Sequence, residues 1–300
     1  MEIIQYKPDL LTSITQFYNN LTTEVPNCHS ITEEEFDRAL HGVSGHTDDD
    51  ELEEETAYVV TQNGSVHAFV HVGFFREGDD DKDKVGVIQF LGYKRSERNA
   101  GQTVLEKAES YLKPFNVSRI IAFTKMYRYN FYGYDYTQLS EKLDHIHGLF
   151  GMNEYRRYHG QIFMEWKSFI VELPHINLPV TLSVEWKEGR GKLPNCHIKA
   201  YIDNNEVGQC DSVSCGQYSS HPDLQDWVYT HWVGVEDDYQ GQGLGKYLLQ
   251  YSLHEMHKVG YRHASLSTDW NNYLALLFYS NLGYRAVDWT YAYEKIISQH

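Results

Sequence analysis

The stretch from His231 to Leu249, HWVGVEDDYQGQGLGKYLL, decides the fold. Val233 and Val235 close a run that alternates as a strand does, and Gln240-Gly241-Gln242-Gly243-Leu244-Gly245 opens an amphipathic helix. A strand that passes through a glycine-rich turn into a helix presents backbone N–H groups to phosphate. The first helical turn has unpaired donors and carries the positive end of the helix dipole. Gly243 and Gly245 let an anionic group reach the backbone with no Cβ in the way. The order of the glycines excludes two other cradles. No Gly-Lys-Ser/Thr follows, as a P-loop requires, and Gly241, Gly243 and Gly245 do not fit GxGxxG.

The remaining composition narrows the class. The chain has 300 residues, enough for two ordinary domains, with 41% hydrophobic residues and 24 tyrosines, so a large core is expected. Its 42 acidic and 26 basic side chains give a net charge of −16. Both halves of the chain are acidic, which argues against nucleic acid as a partner and favours a cationic small substrate. Cys28, Cys196, Cys210 and Cys215 form no CxxC pair, so reduced structural thiols and no metal are expected. The N-terminus, MEIIQYKPDLL, lacks the plan of a signal peptide, and no apolar run approaches a membrane span. A cytoplasmic protein without a membrane partner is expected; nothing fixes its oligomeric state.

Taken in order, the chain reads as two passes through one plan. Leu10–Leu21 and Thr32–Leu40 have helical spacing, the second with a Thr32/Glu35 capping box. The acid run Asp48–Glu55 and the charged stretch Asp79–Lys84 read as solvated loops. Asn63-Gly64 between two β-rich runs predicts a hairpin, and Arg98-Asn99-Ala100-Gly101-Gln102-Thr103 opens a helix after a strand. An aromatic segment follows, with Tyr127, Tyr129, Phe131, Tyr132, Tyr134 and Tyr136. Phe169–Pro179 has the look of an interdomain crossover. In the second pass Asn63-Gly64 maps to Asn204-Asn205 at an offset of 141, Arg98 and Gly101 to Gln240 and Gly243 at 142, and Gly151 to Gly283 at 132. An internal repeat follows, with domains expected at 1–168 and 169–300.

Gln240, Gly243 and Gly245 match the Q/R-x-x-G-x-G/A loop that the GNAT acyl-CoA N-acyltransferases place after a hydrophobic strand. Asn272, Ala275, Phe278, Tyr279, Gly283 and Tyr284 match a second stretch of that superfamily, N-x-x-A-x-x-(L/F)-Y-x-x-x-G-(F/Y). Two motifs in the right order make the chain resemble a tandem GNAT protein, in a layout similar to mycothiol synthase-like proteins. The resemblance implies an α/β fold: two tandem domains, each an antiparallel-leaning mixed sheet with helices on its faces. It also implies acetyl-CoA as co-substrate and transfer of the acetyl group to the primary amine of a small molecule.

By position, the resemblance places the pyrophosphate on the N–H groups of Gln240, Gly241, Gln242, Gly243, Leu244, Gly245 and Lys246. Pantetheine lies along Val233, Gly234 and Val235, the Val233 N–H faces the developing oxyanion, and Asn272 and Phe278 flank the cofactor. Tyr279 matches the tyrosine that protonates the departing thiolate. The base that deprotonates the amine stays open between His231, Tyr229 and Glu236, with Asp269 in reserve. Tyr229, His231 and Val233 are expected on one face of their strand.

The first pass keeps the frame and loses the details. Thr103 replaces Gly245, and at the 132 offset Ser140, Leu143 and His147 replace Asn272, Ala275 and Tyr279. A non-catalytic N-terminal domain is expected, the alternative being a second site with His147 as acid. The aromatic segment is expected at an interface or lining an acceptor pocket. A non-catalytic acyl-CoA or metabolite sensor is the rival to an enzyme.

Overall fold

The computed structural model describes residues 1–41, 52–77, 83–124, 128–134 and 137–297. The acid run's first residues, most of the charged stretch 79–84, and Tyr127 and Tyr136 lie outside them. The chain forms two compact units, one of residues 1–162 and 288–300, the other of 163–287. The division falls at 162/163 instead of the expected 168/169, and most of the final strand, from Asp288 on, belongs with the first unit.

Unit 1 contains β1 (Glu2–Gln5), α1 (Leu11–Leu21), α2 (Glu33–His41), β2 (Glu53–Gln62), β3 (Ser65–Glu77), β4 (Asp83–Tyr93), α3 (Arg98–Leu112) and β5 (Arg119–Ala122). It continues with α4 (Asn130–Gly133), β6 (Leu139–Ser140), α5 (Asp144–Met152) and most of β7 (Arg156–Trp166). The capping box forms as expected: Thr32 N–H donates to Glu35 Oε2 at 2.8 Å and Glu35 N–H to Thr32 Oγ1 at 3.2 Å. Asn63 and Gly64 both take positive φ, 51° and 76°, so the β2/β3 hairpin turns as a type I′ pair. β1 to β4 run antiparallel in sequence order, and β4 and β5 pair parallel. The four described aromatics of the segment, Tyr129, Phe131, Tyr132 and Tyr134, are buried, the first three within one core with α1, α2 and β4. They line no acceptor pocket. Packing fixes them there.

Unit 2 contains β8 (Thr181–Lys187), β9 (Asn195–Ile202), β10 (Asn205–Ser214), β11 (Trp227–Val235), α6 (Leu244–Val259), β12 (His263–Asp269) and α7 (Tyr273–Leu282). The sheet order is β12-β11-β10-β9-β8, with β11/β12 parallel and the rest antiparallel. The second hairpin turns one residue earlier than its Asn-Asn suggests: Asp203 and Asn204 carry the positive φ, and Ile202 faces Asn205. Phe169 is buried, and its N–H donates to Arg262 O at 3.0 Å, so the crossover starts packed against unit 2. Leu244, Leu248, Leu249 and Leu253 bury one face of α6, each contributing about 1.5–3 kcal/mol on leaving water. The last strand, β13 (Arg285–Ile296), pairs with β5 of unit 1 through Tyr293 opposite Ala122. The four cysteines are buried and free. No helix among the described residues is long and apolar enough to cross a membrane.

Candidate active site of unit 2

Three features meet at the C-terminal end of β11. The first is a split between strands. β11 and β12 pair only through Trp227–His263, Val228–Ala264 and Tyr229–Ser265, although β11 continues to Val235 and β12 to Asp269. Beyond Tyr229 that edge of β11 has no ladder partner among the described residues. Val235 O on that edge is taken by Gln240 Nε2 at 3.0 Å, and the backbone at Val233 faces the gap where a ligand could lie between the strands.

The second is a β-bulge. Against β10, Ser212 faces Thr230 but Asp211 faces Trp232, which leaves His231 as the extra residue. The bulge inverts the alternation that the sequence suggests. Val228, Thr230, Val233 and Val235 share the face of Ser212, whose Oγ meets Ser252 of α6 at 2.8 Å. Tyr229, Trp232 and Gly234 fall on the opposite face. Tyr229 and Val233 therefore do not share a side, contrary to the expectation from sequence, because a bulge leaves no mark in hydropathy.

The third is the glycine loop. One 3₁₀ turn, Asp237–Tyr239, leads to an extended Gln240, then Gly241 at φ 73° and Gly243 at φ 87° at the N-cap of α6. A Cβ at Gly241 or Gly243 would meet nothing within 4 Å, so the space over both is open. Tyr247 N–H returns to Gly243 O at 3.0 Å, while the N–H groups of Gly241 to Lys246 find no backbone acceptor among the described residues. This cradle fits a pyrophosphate: stripped amides, a helix dipole and no Cβ in the approach. Lys246 is exposed beside it, and Leu244 turns its side chain into the core. Gln240 holds the loop, donating to Val235 O at 3.0 Å and Asp237 Oδ1 at 2.8 Å.

Tyr279 lies half-buried on α7, its ring 5.9 Å from that of Tyr284 and 5.1 Å from that of Phe278. Burial, with the Cys210 thiol adding to it, pushes its phenol up to about 12, so it stays protonated at neutral pH. Asn272 caps α7: its side chain accepts from Ala275 N–H at 3.0 Å. Tyr229 is buried, with its hydroxyl 2.6 Å from Ser267 Oγ. That contact bridges β11 and β12 where they part, and Ser267 had no signal in the sequence. His231 is half-buried at the bulge, and Glu236 and Asp269 are exposed at the strand ends.

The model of the acetyltransferase (GNAT) domain matches residues 194–286, which contain the split, the bulge, the loop and α7. This region is a GNAT domain. Among solved structures, a tandem GNAT protein of the clavulanic acid biosynthesis pathway aligns over 100% of this chain and 99% of its own, at TM-score 0.72 and 11% identity. A GCN5-related N-acetyltransferase from Sphaerobacter thermophilus aligns over 99% and 96%, at TM-score 0.66 and 13% identity. A GCN5-related glucosamine N-acetyltransferase region in a fungal multi-domain GH3 β-N-acetylglucosaminidase aligns at TM-score 0.68 and 13% identity. It covers 98% of this chain, which spans 38% of that longer protein. At these identities the likeness is one of fold, and that fold is the tandem GNAT arrangement. No curated protein sequence matches the chain.

Proposed function

We propose that the GNAT domain of unit 2 transfers the acetyl group of acetyl-CoA to the primary amine of a small molecule, by direct attack in a ternary complex. The observation that carries this reading is the convergence, at one end of β11, of an unpaired strand edge and a glycine loop with free amides. The loop N–H groups from Gly241 to Lys246 would hold the pyrophosphate, with Gln240, whose own N–H goes to Asp237 O at 3.2 Å, bracing the loop, the backbone of Val233–Val235 along pantetheine and Phe278 beside it. Oriented N–H groups on that edge, Val233 among them, would stabilise the charge that develops on the acyl oxygen.

Tyr279 would donate its proton to the departing thiolate. A buried phenol suits this role because the same desolvation that holds its proton raises the proton affinity of a thiolate formed beside it. The incoming ammonium must lose a proton before attack. The Tyr229–Ser267 contact at the mouth of the split is a route for it, with His231 at the bulge and Glu236 at the strand end as further acceptors. An intracellular, cytoplasmic setting, where acetyl-CoA is made, belongs to the same proposal.

Purified protein mixed with acetyl-CoA and a panel of primary amines tests the reading through release of free thiol, alongside calorimetric titration with CoA. Thiol release that depends on an amine is the expected result. Tight CoA binding without turnover of any amine would make unit 2 a binding module instead.

A further inference from the structure

On the face of β11 away from α6, Trp232 leaves 53% of its surface exposed. A Cβ on Gly234 would come within 2.7 Å of Trp232 Nε1, so the indole lies along its own strand over a residue with no side chain. Directly opposite in register stands Asp211 of β10, then His197 of β9, then Glu185 of β8, all on this face. His197 Nδ1 holds Asp211 Oδ1 at 2.9 Å, which fixes the carboxylate on the strand next to that of Trp232. The nearby lysines are neutralised: Lys199 by Glu206 at 2.7 Å and Lys187 by Glu185 at 3.4 Å. An exposed aromatic face with a fixed carboxylate on its cross-strand partner is a site for a flat or compact cation.

Unit 1 shows what such a platform takes when it is filled. At the offset of 142, Phe90 stands for Trp232 and Gly92 for Gly234, and the bulge recurs, with Gln89 skipped between Ile88 and Phe90. Phe90 is fully buried there. The ring of Tyr129 stacks on it at 5.6 Å and 11°, and the Tyr129 hydroxyl meets Nδ1 of His71, the residue facing Phe90 in register, at 3.0 Å. A planar group on the aromatic, with a polar atom on its cross-strand neighbour, fills the first copy from within. The second copy offers the same seat open, with a carboxylate in place of the imidazole.

We infer that the acceptor amine of unit 2 carries a second cationic group, an ammonium or guanidinium, seated on Trp232 and Asp211 while the reacting amine lies at the β11/β12 split. This rests on the acetyltransferase reading above. The seat directly follows the bulge, three residues along β11 from Tyr229 and on the same face, so a substrate spanning both is an aliphatic diamine or aminoalkyl guanidine. Trp232 and Asp211 then set specificity and do no chemistry.

The test compares agmatine with n-butylamine, which has the same chain length and no second cation. The KM for agmatine should be lower by about tenfold or more, the scale of a partly desolvated cation–π contact with a charge-assisted hydrogen bond. Trp232→Ala and Asp211→Asn should each raise the agmatine KM by about five- to tenfold. They should leave kcat, the n-butylamine KM and the acetyl-CoA Kd unchanged, and Trp232→Phe should restore most of the loss. Equal KM values for the two amines, or variants that weaken both alike, would overturn the inference and leave the acetyltransferase reading standing. If acetyl-CoA binds but neither amine turns over, calorimetry with agmatine decides: binding lost in Trp232→Ala supports the seat, and absence of binding to the unsubstituted protein removes it. If acetyl-CoA does not bind, the acetyltransferase reading itself fails, and the same agmatine titration still judges the seat.

Discussion

The two glycine-bearing turns occupy the same chain length and have opposite fates. Eight residues separate Tyr93 from Gly101 and Val235 from Gly243. In unit 1 the helix starts at Arg98, and the N–H groups of Ala100 and Gly101 both go to Glu97 O, at 2.9 and 3.2 Å. In unit 2 the equivalent residues 240–243 stay out of the helix; Gln240 N–H goes to Asp237 O at 3.2 Å, and Gly241 to Gly243 find no backbone acceptor among the described residues. Gly101 is therefore a packing glycine: a Cβ there would stand 2.5 Å from the Tyr93 ring. Gly243 is a conformational one, at φ 87° with open space above it. The strand split differs in the same sense. Counting on from the paired residues Arg119 and His263, Phe123 in unit 1 stands where Ser267 stands in unit 2. Its ring packs on Phe90 at 6.0 Å and Phe150 at 5.5 Å. One copy closes the cleft with aromatic rings, and the other leaves it lined with a serine hydroxyl. The positions left open in unit 2 are thus spent on core packing in unit 1.

The sharpest way to break this comparison is at the matched helix positions Tyr279 and His147. Tyr279→Phe should lower kcat by at least about tenfold with little change in the acetyl-CoA KM, because an acid acts mainly in the transition state. His147→Ala should leave kcat unchanged. Burial pushes His147 down to about 4, and its nitrogens are taken by Tyr293 Oη at 2.5 Å and Ser140 O at 2.9 Å, so at neutral pH it is the neutral imidazole and not an acid. A fall in kcat in His147→Ala that matches Tyr279→Phe would restore a working first copy.

A second test concerns Asp288, fully buried in unit 1 beside Ser140. Burial raises it to about 6, against the pull of Ser140. A carboxyl raised in the folded state binds its proton more tightly there than when unfolded. Stability therefore falls as pH rises from about 4 to about 6 and stays lowered above that. Asp288→Asn should add up to about 3 kcal/mol at pH 7 and nothing below about pH 4. Thermal melts at the two pH values check it; an equal effect at both would refute the burial argument.

How much of this was legible beforehand follows from how local each signal is. The loop at Gln240–Gly245, the Asn63-Gly64 turn and the Thr32/Glu35 box are encoded within a few residues, and each forms as the sequence suggests. The bulge at His231 was not legible, since a strand with one extra residue still alternates in its composition. The place of β13 was not legible either. It joins unit 1 by pairing with β5, far away in the chain, and strand pairing at that distance has no periodicity to read. Trp232 and Asp211 carry no signal for a related reason: only the register between β10 and β11 brings them together. The aromatic segment reads as an interface or a pocket lining, and burial decides its described residues as core.

The glycines give a third, smaller contrast. Gly101→Ala should destabilise unit 1 by about 1–3 kcal/mol through overpacking against Tyr93, with no change in acetyl-CoA affinity. Gly243→Ala should cost about 1–2 kcal/mol for the left-handed backbone and, in addition, weaken acetyl-CoA binding measurably by calorimetry. If Gly101→Ala were to alter acetyl-CoA affinity, unit 1 would hold the cofactor after all.

The smallest expected effect separates capping from cofactor contact at Asn272. Its counterpart in the first copy, Ser140, was read as a lost motif residue, yet Ser140 Oγ accepts from Lys142 N–H at 3.1 Å and begins the helical segment there. Asn272 Oδ1 does the same for α7 through Ala275 N–H. Both residue types are good N-caps, so the exchange preserves the function that matters to the fold. Asn272→Ala should cost about 1 kcal/mol, and Asn272→Ser should recover nearly all of it. Acetyl-CoA affinity should follow stability in both variants if capping is the whole role. An Asn272→Ser protein that melts like the original but binds acetyl-CoA more weakly would show that the carboxamide touches the cofactor, and would make this position one more place where the two copies diverged.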